Sequence, residues 1–277
     1  MKQRTISAVF FVIAMLGGIF GGFIPFLVLF GVVTAGSAWE LMKLVFGLHN
    51  DHLFARKMIG TVLATVPFVL TGLHFLYPNF SLLADHTQPW LFTVILFFPF
   101  YILWMMELLL ASEKPFTNMG HFLLGLVYVG IPLALLIDIA MVDDQYTPLR
   151  VFGILGLNWI NDTFAYFTGS LIGKTPFSPR ISPKKTWEGT LGGVGGTVII
   201  AWGISYYLNV YTPSEWVAIA ASVAIFGTVG DLIESMLKRS VGVKDSGNIM
   251  PGHGGFLDRF DSFVFLLPFV WIVLRLF

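Results

Sequence analysis

Asp231, Ser235 and Lys238 are spaced i, i+4 and i+7, and Asp258 and Asp261 follow at a spacing of i, i+3. On helices, the first three share one face and the second pair shares a face of the next element. Glu234 and Arg259 lie beside them. Carboxylates on two helices, close to Lys and Arg, are what a magnesium–polyphosphate site requires. Mg²⁺ takes hard oxygen ligands and keeps waters and substrate phosphates in its shell. Cations then neutralise the remaining phosphate charge. Two metals about 4 Å apart could clamp the entering and leaving oxygens of an in-line displacement at phosphorus. The plainer reading is ion pairing, for example of Asp258 with Arg259 or Lys238. Pairing accounts for one or two acids, but hardly for Asp162, Asp231, Asp258 and Asp261 together.

Two further polar clusters point the same way. In the apolar run 149–172, Asn158, Asp162, Ala165 and Gly169 fall on one helical face, with Asn161, Thr163 and Tyr166 nearby. A carboxylate inside such a run is a functional candidate by default. The stretch from Lys174 to Gly189, KTPFSPRISPKKTWEG, holds three prolines and cannot be one helix. Ser182-Pro183 reads as an N-cap followed by a first-turn proline. That reading predicts Lys184, Lys185 and Thr186 in a first helical turn, where free N–H groups favour anions. Gly252-His253-Gly254-Gly255 lets the backbone turn tightly or approach a ligand closely. His253 reads as a site-lining residue; a zinc site would need more nitrogen or sulfur ligands. The string Gly192-Gly193-Val194-Gly195-Gly196 is not a dinucleotide fingerprint, because no strand is expected before it. Close helix packing in lipid explains it better.

The elements that must position these groups are membrane helices. The chain has 277 residues, 56% hydrophobic and 12% charged, with a mean hydropathy of +0.81. Soluble domains carry about twice that charge fraction. Apolar runs predict an all-α polytopic membrane protein of about nine helices, near 5–20, 23–46, 56–77, 90–111, 119–141, 149–172, 187–208, 214–237 and 258–276. Lys2 and Arg4 precede the first run, which has no clear cleavage site and reads as a span rather than a signal peptide. With nine spans, fourteen Lys and Arg fall on the N-terminal side of the membrane and two, Arg150 and Arg275, on the other. That bias puts the N-terminus in the cytoplasm and the C-terminus outside. It also makes Lys43, Arg56, Lys57 and Lys114 topology determinants. The chain reads as a single integral-membrane domain, with less informative helices over 1–148 and a catalytic half over 149–277. There is no cysteine, which excludes disulfides and thiolate chemistry. Zero net charge gives no sign of nucleic-acid binding.

At these residues the chain resembles the phosphatidate cytidylyltransferase family, also called CDP-diacylglycerol synthase. The family signature, S-x-L-K-R, four residues, K-D, then H-G-G-x-x-D-R-x-D, is met by Ser235, Leu237, Lys238, Arg239, Lys244, Asp245, His253, Gly254, Gly255, Asp258, Arg259 and Asp261. Met250 replaces a more usual Leu, Ile or Phe, at conserved volume. S-P-K-K-T-W-E-G from Ser182 and N-D-x-x-A-Y from Asn161 also resemble the family. The N-terminal half matches only as apolar spans.

The resemblance implies that CTP and phosphatidic acid give CDP-diacylglycerol and pyrophosphate in phospholipid biosynthesis, with Mg²⁺. The family's metal site, a mixed Mg²⁺/K⁺ pair, carries over to Asp231 and Asp258. Catalytic roles are expected for Asp231, Asp258, Lys238, Arg239, Lys244 and Asp261. Substrate binding is expected for Asp162, Lys184, Lys185, Thr186, Ser235, His253, Gly254, Gly255 and Arg259. The setting is the cell (inner) membrane, with the site on its cytoplasmic side; a homodimer is an expectation from the family alone. An ion-coupled transporter is disfavoured, since the acids gather at helix ends in one half. Another CTP-dependent lipid enzyme is a closer rival.

Overall fold

The computed structural model describes residues 2–48, 51–77, 89–247 and 254–277. Among these, nine helical rods follow the apolar runs. They are α1 (Lys2–Phe20), α2 (Phe23–Phe46), α3 (Phe54–Leu76), α4 (Pro89–Leu109), α5 (Pro115–Ala140), α6 (Pro148–Ile172), α7 (Trp187–Ile204), α8 (Pro213–Ser240) and α9 (Leu257–Leu276). Four of them, α2, α3, α5 and α8, are long and apolar enough to cross a membrane. Helices suit such sequences because backbone groups in lipid must bond within their own segment.

Local signals set several of the ends. Gly22, at φ 109°, separates α1 from α2. Prolines occupy the first turns of α5, α6 and α8, where a missing N–H costs nothing. Thr212 and Glu215 close a capping box at the start of α8, each accepting the other's backbone N–H. Within α5 a π-helical turn over Leu126–Gly130 interrupts the regular winding.

Two short hairpins join helices. β1 (Met141–Val142) and β2 (Gln145–Tyr146) turn through Asp143 and Asp144, both at positive φ. β3 (Pro176–Ser178) and β4 (Ser182–Thr186) pair antiparallel, with Pro176 opposite Thr186 and Ser178 opposite Ser182. This corrects the helical reading of Ser182-Pro183. Lys184 and Lys185 lie on an extended strand, and the N-cap of α7 is Thr186, whose Oγ1 accepts the Gly189 N–H at 3.2 Å. Pairing with Pro176–Ser178 overrides the local Ser-Pro signal. A strand therefore does precede the glycine string of α7, but it belongs to a hairpin and not to a parallel βαβ unit.

Those glycines seat α7 on α6. A Cβ at Gly193 would stand 2.6 Å from the Asn161 carboxamide oxygen, and one at Gly196 would stand 2.5 Å from the Phe164 ring. Gly193→Val should therefore destabilise the protein by about 1–3 kcal/mol, the usual cost of overpacking. A lowered thermal midpoint in detergent checks this. Across the molecule, Phe30 of α2 packs on Phe260 and Phe263 of α9, all fully buried, so the two halves share one core. Asn158 donates to Ser262 Oγ at 3.0 Å, tying α6 to α9.

Candidate active site

The three polar clusters meet. A cavity of about 410 Å³ is lined by Asp162 of α6, Lys184, Lys185 and Thr186 of β4, and Asp231 of α8. The α6–α7 packing holds β4 against α6. Glu188, in the first turn of α7, accepts the backbone N–H groups of Lys174 and Thr175, both at 3.1 Å, and the Thr175 hydroxyl at 2.8 Å. The hairpin is thereby closed onto the helix that follows it. Lys185 Nζ reaches across the cavity to Asp231 Oδ2 at 2.5 Å. Ser235, one turn along α8, donates to Asp231 Oδ1 at 3.3 Å.

A second cluster adjoins this cavity. Lys238 pairs with Glu234 on its own helix and with Asp258 Oδ1 at 2.7 Å. The other Asp258 oxygen, Oδ2, accepts the Ser246 N–H at 2.8 Å, the Ser246 hydroxyl at 2.9 Å and the Gly255 N–H at 2.8 Å. Oδ1 thus keeps an acceptor position beside Lys238, while Oδ2 is fully engaged. Asp261 links the two clusters, since its carboxyl lies within coulombic reach of Asp162, Asp231 and Lys238. Close packing at Gly230, where a Cβ would stand 3.1 Å from the Asp261 carbonyl, brings α8 and α9 together there.

Other expected residues stand apart. Arg239 is exposed and donates to the Val243 carbonyl at 3.0 Å. Lys244 lines a separate hollow of about 340 Å³ with Lys43, Asp245 and Ser246. Arg259 is exposed, outside the residues lining the cavity. Gly254 adopts φ +82° and makes the turn its residue type promised. His253 lies outside the described residues.

Three groups were missed by reasoning from sequence. Glu40 of α2 is 1% exposed, and its carboxylate accepts the Ser246 hydroxyl at 2.8 Å, the Phe256 N–H at 3.0 Å and the Leu257 N–H at 2.9 Å. The rule that singled out Asp162, a carboxylate inside an apolar run, applies equally to Glu40. Ser246, 2% exposed, joins Glu40 to Asp258 and follows Lys244-Asp245 without a signal of its own. Tyr128 sits in the π-helical turn of α5, a feature often found at functional sites. Its buried hydroxyl has no hydrogen-bond partner among the described residues and lies in the field of Asp231, Glu234 and Asp261.

The arrangement can hold a polyanion. It offers cations on β4 and α8 to neutralise phosphate and carboxylates to hold a metal. Known proteins agree with that chemistry. The sequence matches the cytidylyltransferase family over residues 2–277. It is 32% identical over 282 residues to the phosphatidate cytidylyltransferase of Bacillus subtilis, covering 100% of this chain and 98% of that one. The Staphylococcus aureus (strain COL) protein of the same name is 31% identical over 279 residues, with 99% of each chain covered. The Thermotoga maritima protein of that name is 38% identical over 177 residues, 61% of this chain and 64% of its own. Matched by the family over residues 2–277 and by relatives over its whole length, this chain belongs to the cytidylyltransferase family.

Proposed function

We propose that the chain transfers the cytidylyl group of CTP to phosphatidic acid, giving CDP-diacylglycerol and pyrophosphate. The observation that carries this reading is the convergence of Asp162, Lys185 and Asp231, from three elements, on one cavity. A phosphatidate oxygen attacks the α-phosphorus of CTP and forms the new P–O bond. The bond from the α-phosphorus to the bridging oxygen breaks, and its electron pair leaves with pyrophosphate. No protein base is needed, because the phosphate dianion is itself the nucleophile. Positioning and charge neutralisation do most of the work in such transfers.

Lys185, paired with Asp231, turns to phosphate when substrate enters. Lys184 on the cavity wall and Lys238 in the adjoining cluster neutralise the remaining charge. Arg239, Lys244 and Arg259 supply a positive approach from the exposed surface. The donor set fits Mg²⁺. All the available ligands are hard oxygens, and three like charges at Asp162, Asp231 and Asp261 lie within reach of one another with Lys185 and Lys238 beside them. Among the described residues no three acids or histidines stand ready to hold a metal unaided. Mg²⁺ does not need that, since one or two carboxylates plus substrate phosphates suffice. Asp231 and Asp258 Oδ1 would hold it, with Asp162 and Asp261 adding negative potential; K⁺ is the proposed second ion. When bound, the metal supplies charge neutralisation at the reacting phosphates.

Nine spans, a cytoplasmic N-terminus and an external C-terminus fit the fourteen-to-two distribution of Lys and Arg. On this reading the site lies at the cytoplasmic face of the cell membrane, open to CTP from water and to phosphatidate from the leaflet. A homodimer completes the proposal. The test is purified protein with α-labelled CTP, phosphatidate and Mg²⁺. Labelled lipid and released pyrophosphate are expected; a folded sample that transfers no label rules the reaction out.

A further inference from the structure

Glu40 lies in the half of the chain to which the sequence assigns no chemistry, yet its three hydrogen-bond donors among the described residues belong to the segment that leads into Asp258. Two are the N–H groups of Phe256 and Leu257. These open α9, whose N-cap residue, Phe256, offers no side-chain cap of its own. An anion there satisfies free donors and complements the helix dipole. Glu40 therefore caps α9 from another helix. The third donor is the Ser246 hydroxyl, which stands 2.8 Å from Glu40 Oε2 and 2.9 Å from Asp258 Oδ2. A serine has one hydroxyl proton, so the two carboxylates compete for it and each senses where the other lies.

The surroundings are cut to fit this carboxylate. A Cβ on Gly247 or on Gly255 would collide with the Glu40 carboxylate oxygens. A Cβ on Gly36, one turn before Glu40, would collide with the Phe256 ring. Gly255 does not need its glycine for a left-handed turn; among the described glycines near Asp258, positive φ belongs to Gly254. It needs the missing Cβ, because Glu40 occupies that space. A helix that wanted only an N-cap would take a local Ser, Thr, Asp or Asn. Burying a carboxylate in a membrane helix costs more, and here it also fixes a residue hydrogen-bonded to Asp258.

We propose that Glu40 is a positioning residue for cytidylyl transfer. It pins Ser246 and the first turn of α9, and so sets the direction of the Asp258 carboxylate and of Lys238 paired with it. This rests on Asp258 and Lys238 belonging to the site. The test compares Glu40→Gln, Ser246→Ala and Asp258→Asn as full-length proteins in detergent, each with its thermal midpoint, kcat and KM for CTP. Glu40→Gln keeps the side-chain volume but sets an amide N–H against backbone donors. Its kcat should fall by roughly 10²-fold, the cost of an ångström-scale misplacement, with KM for CTP little changed. Ser246→Ala removes the hydroxyl shared by Glu40 and Asp258 but leaves the cap and the backbone N–H on Asp258 Oδ2; its kcat should fall while the midpoint holds. In the double variant the two losses should not add, since both act through one contact. A normal kcat in Glu40→Gln, or in Ser246→Ala should Glu40→Gln not fold, overturns the proposal if Asp258→Asn is inactive. An active Asp258→Asn instead overturns the site on which the proposal stands. A lowered midpoint with normal kcat per folded molecule reduces Glu40 to a fold determinant and also overturns it.

Discussion

Asp231→Asn should cost roughly 10²–10³-fold in turnover, the scale seen when one preorganised electrostatic contact is removed from an active site. The same variant should melt no lower than the parent. Asp231 is partly exposed, and its 2.5 Å contact with Lys185 is an ion pair on a water-facing cavity wall. Pairs of that kind contribute about 0–1 kcal/mol. Against this small loss, the neutral asparagine relieves repulsion from Asp162 and Asp261, which both lie within its field. The side chain stays the same size, so packing at Gly230 and the α8–α9 contact are unaffected. Stability and activity therefore part company. The variant should also release Lys185, so that pyrophosphate binds the cavity no more weakly than in the parent. Label transfer from CTP, a thermal melt and pyrophosphate competition read the three effects. A near-normal rate would remove Asp231 from the site.

How much of this was legible in the sequence depends on how far apart the partners lie. The helices were legible because each apolar run is bounded by proline, glycine or a cluster of polar residues, as at Gly22, Pro148 and Pro213. The polar clusters that supply Asp162, Lys185 and Asp231 were legible one by one, as charges inside or beside apolar runs, but their convergence on one cavity appears only in the fold. The strand over Ser182–Thr186 was not. Its local Ser-Pro signal is a sound N-cap pattern, and only the pairing with Pro176–Ser178 defeats it. Thr186 shows the true start, because its hydroxyl caps the Gly189 N–H. Glu40 was legible as a carboxylate inside an apolar run, by the rule that singled out Asp162, but what it holds in place was not. Its partners lie more than two hundred positions away, and no local period reports such a contact. The reading of Gly254-Gly255 was half right for the same cause. Gly254 is explained by its own φ, whereas Gly255 is explained by a residue on α2.

Lys238→Met should be the most damaging single change to folding at this site. Lys238 is the cation shared by Glu234 and Asp258, and their side chains are almost fully withdrawn from solvent, at 0% and 8% exposure. Methionine fills much the same volume, so the loss is one of charge rather than of packing. Two buried carboxylates would then face each other with Asp261 close by. Breaking a buried ion pair by removing one partner costs about 3–5 kcal/mol, because the other charge is left without compensation. A shift of that size should appear as a large fall in thermal midpoint and a poor yield of folded protein. Glu234→Gln placed in the same chain removes one of the stranded charges, and part of the lost stability should return. Turnover should not return with it, because the cation facing the substrate phosphates is still missing. If the double variant regains activity along with stability, Lys238 serves the fold alone. If neither single nor double variant melts below the parent, Lys238 is not what holds Glu234 and Asp258 together, and the buried network has some other source of positive charge.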